Sequence, residues 1–443
     1  MSKRLIVVLA LALVVGLTFT AYAEVQNVKV SGDINILGVL RNNFDLGNPP
    51  RTSTGTPDAL TRTKENDKSR FLATQTRVRI DADLTDNVIA TVRLINERNW
   101  TSETVSSTDI DLDLAYVTLK EFLYSPLTLT LGRQEIRFGN QLIIGNNGTY
   151  TAGAVNGLPS DLSERNSFDA LRATLNYDPL IVDLVYAKAN NANVDNSDDT
   201  DLFGINAAYD INKKVNVQAY IWDRKDKSVG AIVNSKKDNV YTLGGLLTIK
   251  PIEDLKMSLE GAWQFGNARV NAGSETKRKA YALQAMADYT FTKVKFTPAI
   301  GGSYTYLSGN GKYAGWNQMY YNQNLGNIAY AILPFSNMNV INLKGSIKPM
   351  EDVTLSALYG YYTLAHKATT LTSGKFDSNG NTYLTAAALT NKKNLGQEID
   401  VTALYDYTED VQLGLTLGAF IPGNTFHDSR VANQAVASMK VTF

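Results

Sequence analysis

The chain has 443 residues with 43 Lys and Arg against 43 Asp and Glu, so its formal charge is zero and a nucleic-acid partner is not expected. It contains no Cys, which excludes disulfides, a thiolate site and a lipidated N-terminal Cys. Beyond residue 23 nothing approaches the roughly 20 consecutive apolar residues that a transmembrane helix needs.

The first 23 residues read as a secretory signal peptide. Lys3 and Arg4 precede an apolar run from Leu5 to Val15, and Ala21-Tyr22-Ala23 supplies a small-x-small cleavage pattern. Cleavage after Ala23 leaves residues 24–443, with 41 basic against 43 acidic side chains, as one domain.

The rest alternates with a period of two. Val28, Val30, Ile34 and Ile36 alternate with Lys29, Ser31, Asp33 and Asn35. Val78, Ile80, Ala82 and Leu84 alternate with Arg77, Arg79, Asp81 and Asp83; Val88, Ala90, Val92 and Leu94 follow the same rule. Near the end, Ile399, Val401 and Ala403 and then Val411, Leu413, Leu415 and Leu417 repeat it. Such strands have one apolar and one polar face.

Short turns near Leu84–Asn87, Tyr124–Leu127, Tyr177–Leu180, Asp210–Lys213, Pro251–Asp254, Tyr289–Lys293, Pro349–Asp352 and Thr408–Asp410 carry Asp, Asn, Pro and Lys. Between them lie long polar stretches at 45–69, 99–109, 139–167, 189–200, 226–239, 266–277, 306–337, 365–395 and 421–433. Eight turns and nine loops join eighteen strands. The expectation is an all-β chain, an antiparallel up-and-down transmembrane β-barrel of the bacterial outer membrane, with both ends on the short-turn, periplasmic side. Lipid requires the sheet to close, because no backbone group can be left unpaired there. Tyr177, Tyr209, Tyr289, Tyr304, Tyr306, Tyr361, Tyr405 and Tyr407 fall near strand ends, where a barrel carries its aromatic girdles. Phe443 closes a final strand whose one face is Ala435, Ala437, Met439, Val441 and Phe443, resembling the signal read by the barrel assembly machinery.

Residues 127–139, LTLTLGRQEIRFG, break the alternation. If Leu127, Leu129 and Leu131 face lipid, an unbroken strand sends Arg133, Glu135 and Arg137 the same way. Arg at the bilayer centre of a barrel costs about 2–4 kcal/mol. A one-residue bulge at Gly132–Arg133 is therefore expected, turning Arg133, Glu135 and Arg137 to the lumen and Ile136 and Phe138 to lipid.

The stretch YVTLKEFLYSPLTLTLGRQEIRFGNQLIIG, 116–145, resembles the central motif of the alginate-export porin superfamily. SGDINILGVLRNNFD at 31–45, TRVRIDADLTDNV at 76–88, RNSFDALRATL at 165–175 and GQEIDVTALYDYTEDVQLGLTLGAFIPG at 396–423 match it in order. The resemblance implies an eighteen-stranded outer-membrane channel, in a family named for export of a polyuronate through an arginine-lined pore. The lumen charges here are expected to be mixed: Arg77, Arg79, Arg93, Arg133, Arg137 and Arg172 face Asp81, Asp83, Glu97, Asp111, Asp113 and Glu135, with Glu398 and Asp400 near closure. Arg suits carboxylate recognition through its planar fork, and opposed acids create a transverse field. The alternative is that these charges pair only with one another.

The loops at 139–167, 306–337 and 365–395 read as solvated external loops, with inward folding as the alternative. In the second, NQMYYNQNLGNIAY (317–330) has the Asn and Tyr to contact a sugar. Catalysis is not expected: His366 and His427 are the only histidines, and His427-Asp428-Ser429 is contiguous, unlike a triad. No cofactor or metal signature is present; the acidic run at 195–201 reads as an exposed loop. The expected function is a monomeric porin, in outer-membrane lipid, for anionic or mixed-charge small solutes including oligosaccharides. Export of an anionic polysaccharide and a plugged structural barrel are the alternatives.

Overall fold

The computed structural model describes residues 26–47, 68–100, 110–147, 158–190, 199–227, 238–271, 274–309, 314–372, 374–375, 382–384, 387–427 and 429–443. The expected signal peptide lies outside the described residues. Eighteen strands form one antiparallel sheet. They are β1 (Asn27–Asn42), β2 (Lys68–Thr85), β3 (Val88–Asn99), β4 (Asp111–Leu119), β5 (Leu127–Gln134) and β6 (Phe168–Asn176). Next come β7 (Leu180–Asn190), β8 (Thr200–Asn212), β9 (Val215–Asp226), β10 (Asp238–Ile249), β11 (Leu255–Asn271) and β12 (Ser274–Thr290). The last six are β13 (Ala299–Leu307), β14 (Met338–Met350), β15 (Val353–Leu364), β16 (Asn394–Asp406), β17 (Val411–Pro422) and β18 (Ala432–Thr442). Each strand pairs with its sequence neighbours, and β1 pairs β18 from Asp33↔Thr442 to Asn42↔Asn433, so the barrel is closed.

The alternation sorts as the sequence suggests. Ile80, Val92, Leu171, Leu343, Val401 and Leu415 point outward and are exposed, forming the belt that acyl chains cover. Arg79 and Asp400 point inward. The eight short turns fall where the turn residues stand. Outward aromatics mark the two ends: Tyr177, Tyr209, Tyr405 and Tyr407 near the turns, and Trp263, Tyr281 and Tyr304 near the loops.

One expected loop is instead strand. The 266–277 stretch is paired through Ala268↔Thr276 and Arg269↔Glu275 to Asn271↔Ser274. Above the bilayer a strand no longer needs apolar alternation, so its Gly, Asn and Lys content reads as loop although the ladder continues.

The interior is not an open pipe. Two long loops fold inward, against the expectation that they are solvated outside. The segment after β5 buries Ile136, Leu142, Ile143 and Ile144, and the segment after β13 buries Ile328, Ala329, Ile332, Leu333 and Phe335. The second contains the helix α1 (Asn327–Ile332). The two loops bond to each other through Tyr320 N to Ile143 O (3.0 Å), Asn146 N to Tyr320 O (2.9 Å) and Asn322 N to Gln141 O (3.0 Å). Their apolar side chains join one core with Phe168 of β6, Trp222 of β9, Val340 of β14, Tyr362 of β15 and Phe420 of β17. Burying them inside removes apolar surface from water, which an outward course would leave exposed. The third loop also reaches in, placing Tyr383 and Leu384 in contact with this core.

Candidate functional site

The charged wall is built by β1 to β6 and the first inward loop. On β2 the alternation that sends Val78 and Ile80 to lipid sends Arg77, Arg79 and Asp81 to the lumen. Arg77 donates from Nε to Asp33 of β1 (3.0 and 3.1 Å) and from Nη1 to Glu164 of the loop (3.2 Å). Arg79 grips Asp81 in a fork, 2.7 Å from Nε and 2.9 Å from Nη2, and Thr91 donates to the same carboxylate at 2.7 Å.

On β3, Arg93 links Asp113 (2.6 Å) to Glu135 (2.5 Å), and Arg137 meets Glu135 at 3.1 Å. Burial works to raise the Glu135 carboxyl, but Arg93 and Arg137 outweigh it and hold it below the usual carboxylate range. Arg172 of β6 donates to Asp183 of β7 at 2.8 Å, and its guanidinium lies over the Phe138 ring at 5.2 Å. The guanidiniums of Arg79, Arg137 and Arg172 keep solvent-facing area, at 38%, 47% and 29% exposure.

Arg133 does not belong to this wall. It is paired with Ala115 of β4 and Asp169 of β6, on the same face as Leu131 and the exposed Leu171, and so points outward. The expected bulge at Gly132–Arg133 is absent: β5 stays in register with both neighbours through Gln134. Gly132 instead takes φ +120°, with a Cβ position only 2.2 Å from Ala115 O, which no other residue tolerates. The extra residue is one strand away, at Asp113, between the pairs Arg93↔Leu114 and Leu94↔Leu112. Parity is reset because the chain leaves the strand after Gln134. Glu135 and Arg137 thereby reach the lumen as expected, while Ile136 and Phe138, expected in lipid, lie inside the barrel. Arg133 sits at the loop end of β5, where the cost of a charge in the interface falls to roughly 0–1 kcal/mol. Asp169 accepts from it at 2.8 and 2.7 Å, and Leu112 O at 3.0 Å.

Four other candidates face inward without lining open water. Glu97 is fully buried beneath the loop, accepting from Gln75 (2.8 Å), Ser163 Oγ (2.8 Å), Glu164 N (2.7 Å) and Arg165 Nε (3.2 Å). Asp113 is closed over by Arg93. On the far side, Glu398 accepts from Ile328 N (2.6 Å) and Ala329 N (2.8 Å), and Asp400 from Asn327 N (3.2 Å). These two acids hold the first turn of α1 rather than opposing the arginines. Gly326 permits the approach, since a Cβ there would lie 2.1 Å from Tyr362 Oη and 2.6 Å from Glu398. Asp111 stays partly exposed and pairs with Arg165.

Sequence reasoning missed Arg41, Asp161 and Arg165. Arg41 of β1 binds Asp161 of the first loop at 2.5 Å, Tyr383 Oη of the third at 2.6 Å and Gln434 of β18 at 2.8 Å. Its inward parity on β1, on the same face as Asp33 and Asn35, was the available signal. A second polar patch was also missed, where Lys344 of β14 meets Asp288 of β12 at 2.8 Å inside the barrel.

Comparison with known proteins fits this architecture. The fold resembles outer-membrane porins of Pseudomonas aeruginosa. OccK11 (OpdR) aligns with a TM-score of 0.58 at 12% identity, covering 95% of this chain and 97% of that one. OpdQ gives 0.57 at 14% identity, covering 95% and 98%. OccK2 (OpdF), in complex with glucuronate, gives 0.55 at 10% identity, covering 95% and 99%. At these identities the likeness is one of fold. No curated protein matches the sequence. Alginate export is the family whose pattern the sequence matches, over residues 44–438, so with its closed eighteen-strand barrel this chain belongs to the alginate export family and is a porin-like channel of the bacterial outer membrane.

Proposed function

We propose that the barrel is a monomeric, passive channel for small solutes that are anionic or carry both charges, oligosaccharides included, and that it is not an enzyme. The observation that carries this reading is the wall of β1 to β6: solvent-facing guanidiniums of Arg79, Arg137 and Arg172, each held in place by a carboxylate or a ring. Held guanidiniums replace part of a solute's hydration without moving, and carboxylates beside them keep any one anion from binding too tightly to leave. The internal core runs along the wall from β6 round to β18, so solute travels along the charged side. Phe443, exposed beside Gly32 at the β1–β18 seam, is proposed as the contact for the barrel assembly machinery.

Export of an anionic polysaccharide is favoured by the family match and opposed by the two loops locked across the lumen. Planar-bilayer recording with and without a polyuronate separates the readings. Steady conductance indifferent to the polymer supports the small-solute channel, and a polymer-blocked current supports export. No conductance at all supports a structural barrel with a plugged lumen.

A further inference from the structure

The lumen keeps a cavity of about 540 Å³ at its short-turn, periplasmic end, where β8 to β11 turn, within the size range of small-molecule sites. Parity directs this part of the strands inward: Val217, Leu247 and Met257 are exposed on the outer face, so Asn216, Gln218, Thr248 and Lys256 face the lumen. Gln218 lies under the tip of the first inward loop, with the Cβ position of Gly139 3.8 Å from its Oε1, so the cavity is on the periplasmic side of that loop. Four ammoniums belong to its lining. Lys213 and Lys214 come from the β8–β9 turn, Lys250 from the residue after β10 and Lys256 from the start of β11. Lys250 N donates to Lys214 O at 2.8 Å and ties the two turns together.

The acids nearby are accounted for. Asp210 is the one carboxylate of the described lining, and Asn216 donates to its Oδ1 at 2.7 Å. Asp254, in the turn after Lys250, accepts from Thr292 at 3.0 Å, and Asp288 is paired with Lys344 at 2.8 Å. Glu253 stands beside Asp254 and does not line the cavity. Among the described residues none of the four ammoniums forms an ion pair; Lys214 Nζ donates to Pro251 O at 3.3 Å. The residue type narrows the anion. The arginines of the opposite wall present planar forks that match a carboxylate, whereas lysines are separate, mobile point charges. A phosphate group carries a charge of about −1.5 to −2 at neutral pH and three terminal oxygens pointing in different directions, so several ammoniums can each take one.

We propose that this cavity is a binding site for a small solute carrying a phosphate group, as the free ion or as an ester, at the periplasmic mouth of the channel. Its lumen-facing parity sets lipid headgroups aside as the source of that phosphate. The inference rests on the channel reading and adds to it a site, a ligand class and a side. Solute arriving from the periplasm meets the lysines first, whereas solute from the long-loop side meets them last.

The test uses the full-length protein in planar bilayers in a chloride salt, with inorganic phosphate and acetate as probes at matched ionic strength. Phosphate on the short-turn side should reduce the chloride current at concentrations about tenfold lower than acetate, or than phosphate on the long-loop side. Lys250→Gln combined with Lys256→Gln should raise the phosphate concentration needed about tenfold and leave the acetate response unchanged. Lys293→Gln, in the β12–β13 turn outside the cavity, removes a nearby charge and should behave like the parent. Heat-modifiable migration reports that each variant is a folded barrel. Glycerol phosphate then separates the two sources: a response to it supports a site for esters, and a response to inorganic phosphate alone supports a site for the free ion. A protein that conducts salt but responds equally to phosphate and acetate, or a double variant that responds like the parent, overturns the site and leaves the channel standing. Block by an acidic peptide with no response to phosphate also overturns it, in favour of a protein partner. If the protein conducts nothing, the channel reading fails, and calorimetry of inorganic phosphate in detergent decides the site: heat that is lost in the double variant supports it, and absence of heat overturns it.

Discussion

The two sides of the barrel interior hold an inward loop by opposite means. Against β1 to β6 the first loop is held by charge: Glu97, Arg77, Arg93 and Arg165 tie it through ion pairs and buried hydrogen bonds. Against β14 to β18 the second loop is held by apolar packing around α1, with Glu398 and Asp400 satisfying the helix's leading amides. The first solution leaves guanidiniums facing water and is suited to touching solute. The second fills its side with carbon around α1, leaving the Lys344–Asp288 patch as a separate polar group, and is suited to closing space. A lumen divided in this way needs only one of its walls to be selective.

Breaking the anchor of the apolar side should have the largest effect. Glu398→Ala leaves the amides of Ile328 and Ala329 without acceptors in a buried site, at a cost of roughly 1–3 kcal/mol for each unsatisfied group. The expected outcome is release of α1, read as a large rise in single-channel conductance and in current noise. Glu97→Ala removes at least four hydrogen bonds from the other side. Its loop stays tied through Arg41–Asp161, Arg77–Glu164 and the apolar core, so a smaller rise in conductance is expected.

The next contrast separates selectivity from width. Arg79→Ala, on the lumen face, should shift the reversal potential in a salt gradient towards cations. Arg133→Ala, one of the same candidate set but turned to the outer rim, should leave it unchanged. Equal shifts in both would place Arg133 in the pore.

Acid should produce the smallest change. The Glu135 carboxyl sits below the usual range in the folded protein, so its stabilising contribution is complete above the unfolded value of about 4.3 and is lost as pH falls through the folded value. Conductance should hold steady between pH 7 and 5 and rise only below about pH 4. Glu135→Gln should remove that part of the rise.

What the sequence made legible follows from period two. Val78 and Ile80 against Arg77 and Arg79 settle which face of β2 is wet, and one such strand fixes its neighbours through register. Residues 127–139 were harder, because a bulge and an early exit both reset parity. Only the partners of Arg133, fixed by the ladder, distinguish them. Glu398 and Asp400 were placed on the correct face but given the wrong role, since their partners lie some seventy residues away, at 327–329. The helix itself was hidden: NIAYAI is too short for a period of 3.6 to show, and the polar NQMYYNQN before it reads as external loop.

The absence of native Cys allows the most direct test of the divided lumen. Single substitutions Arg79→Cys and Arg133→Cys are exposed to a bulky, membrane-impermeant thiol reagent during single-channel recording. The account predicts that modification at residue 79 cuts the current sharply while modification at residue 133 proceeds without changing it. Block at residue 133, or an unaltered current after complete modification at residue 79, would contradict it.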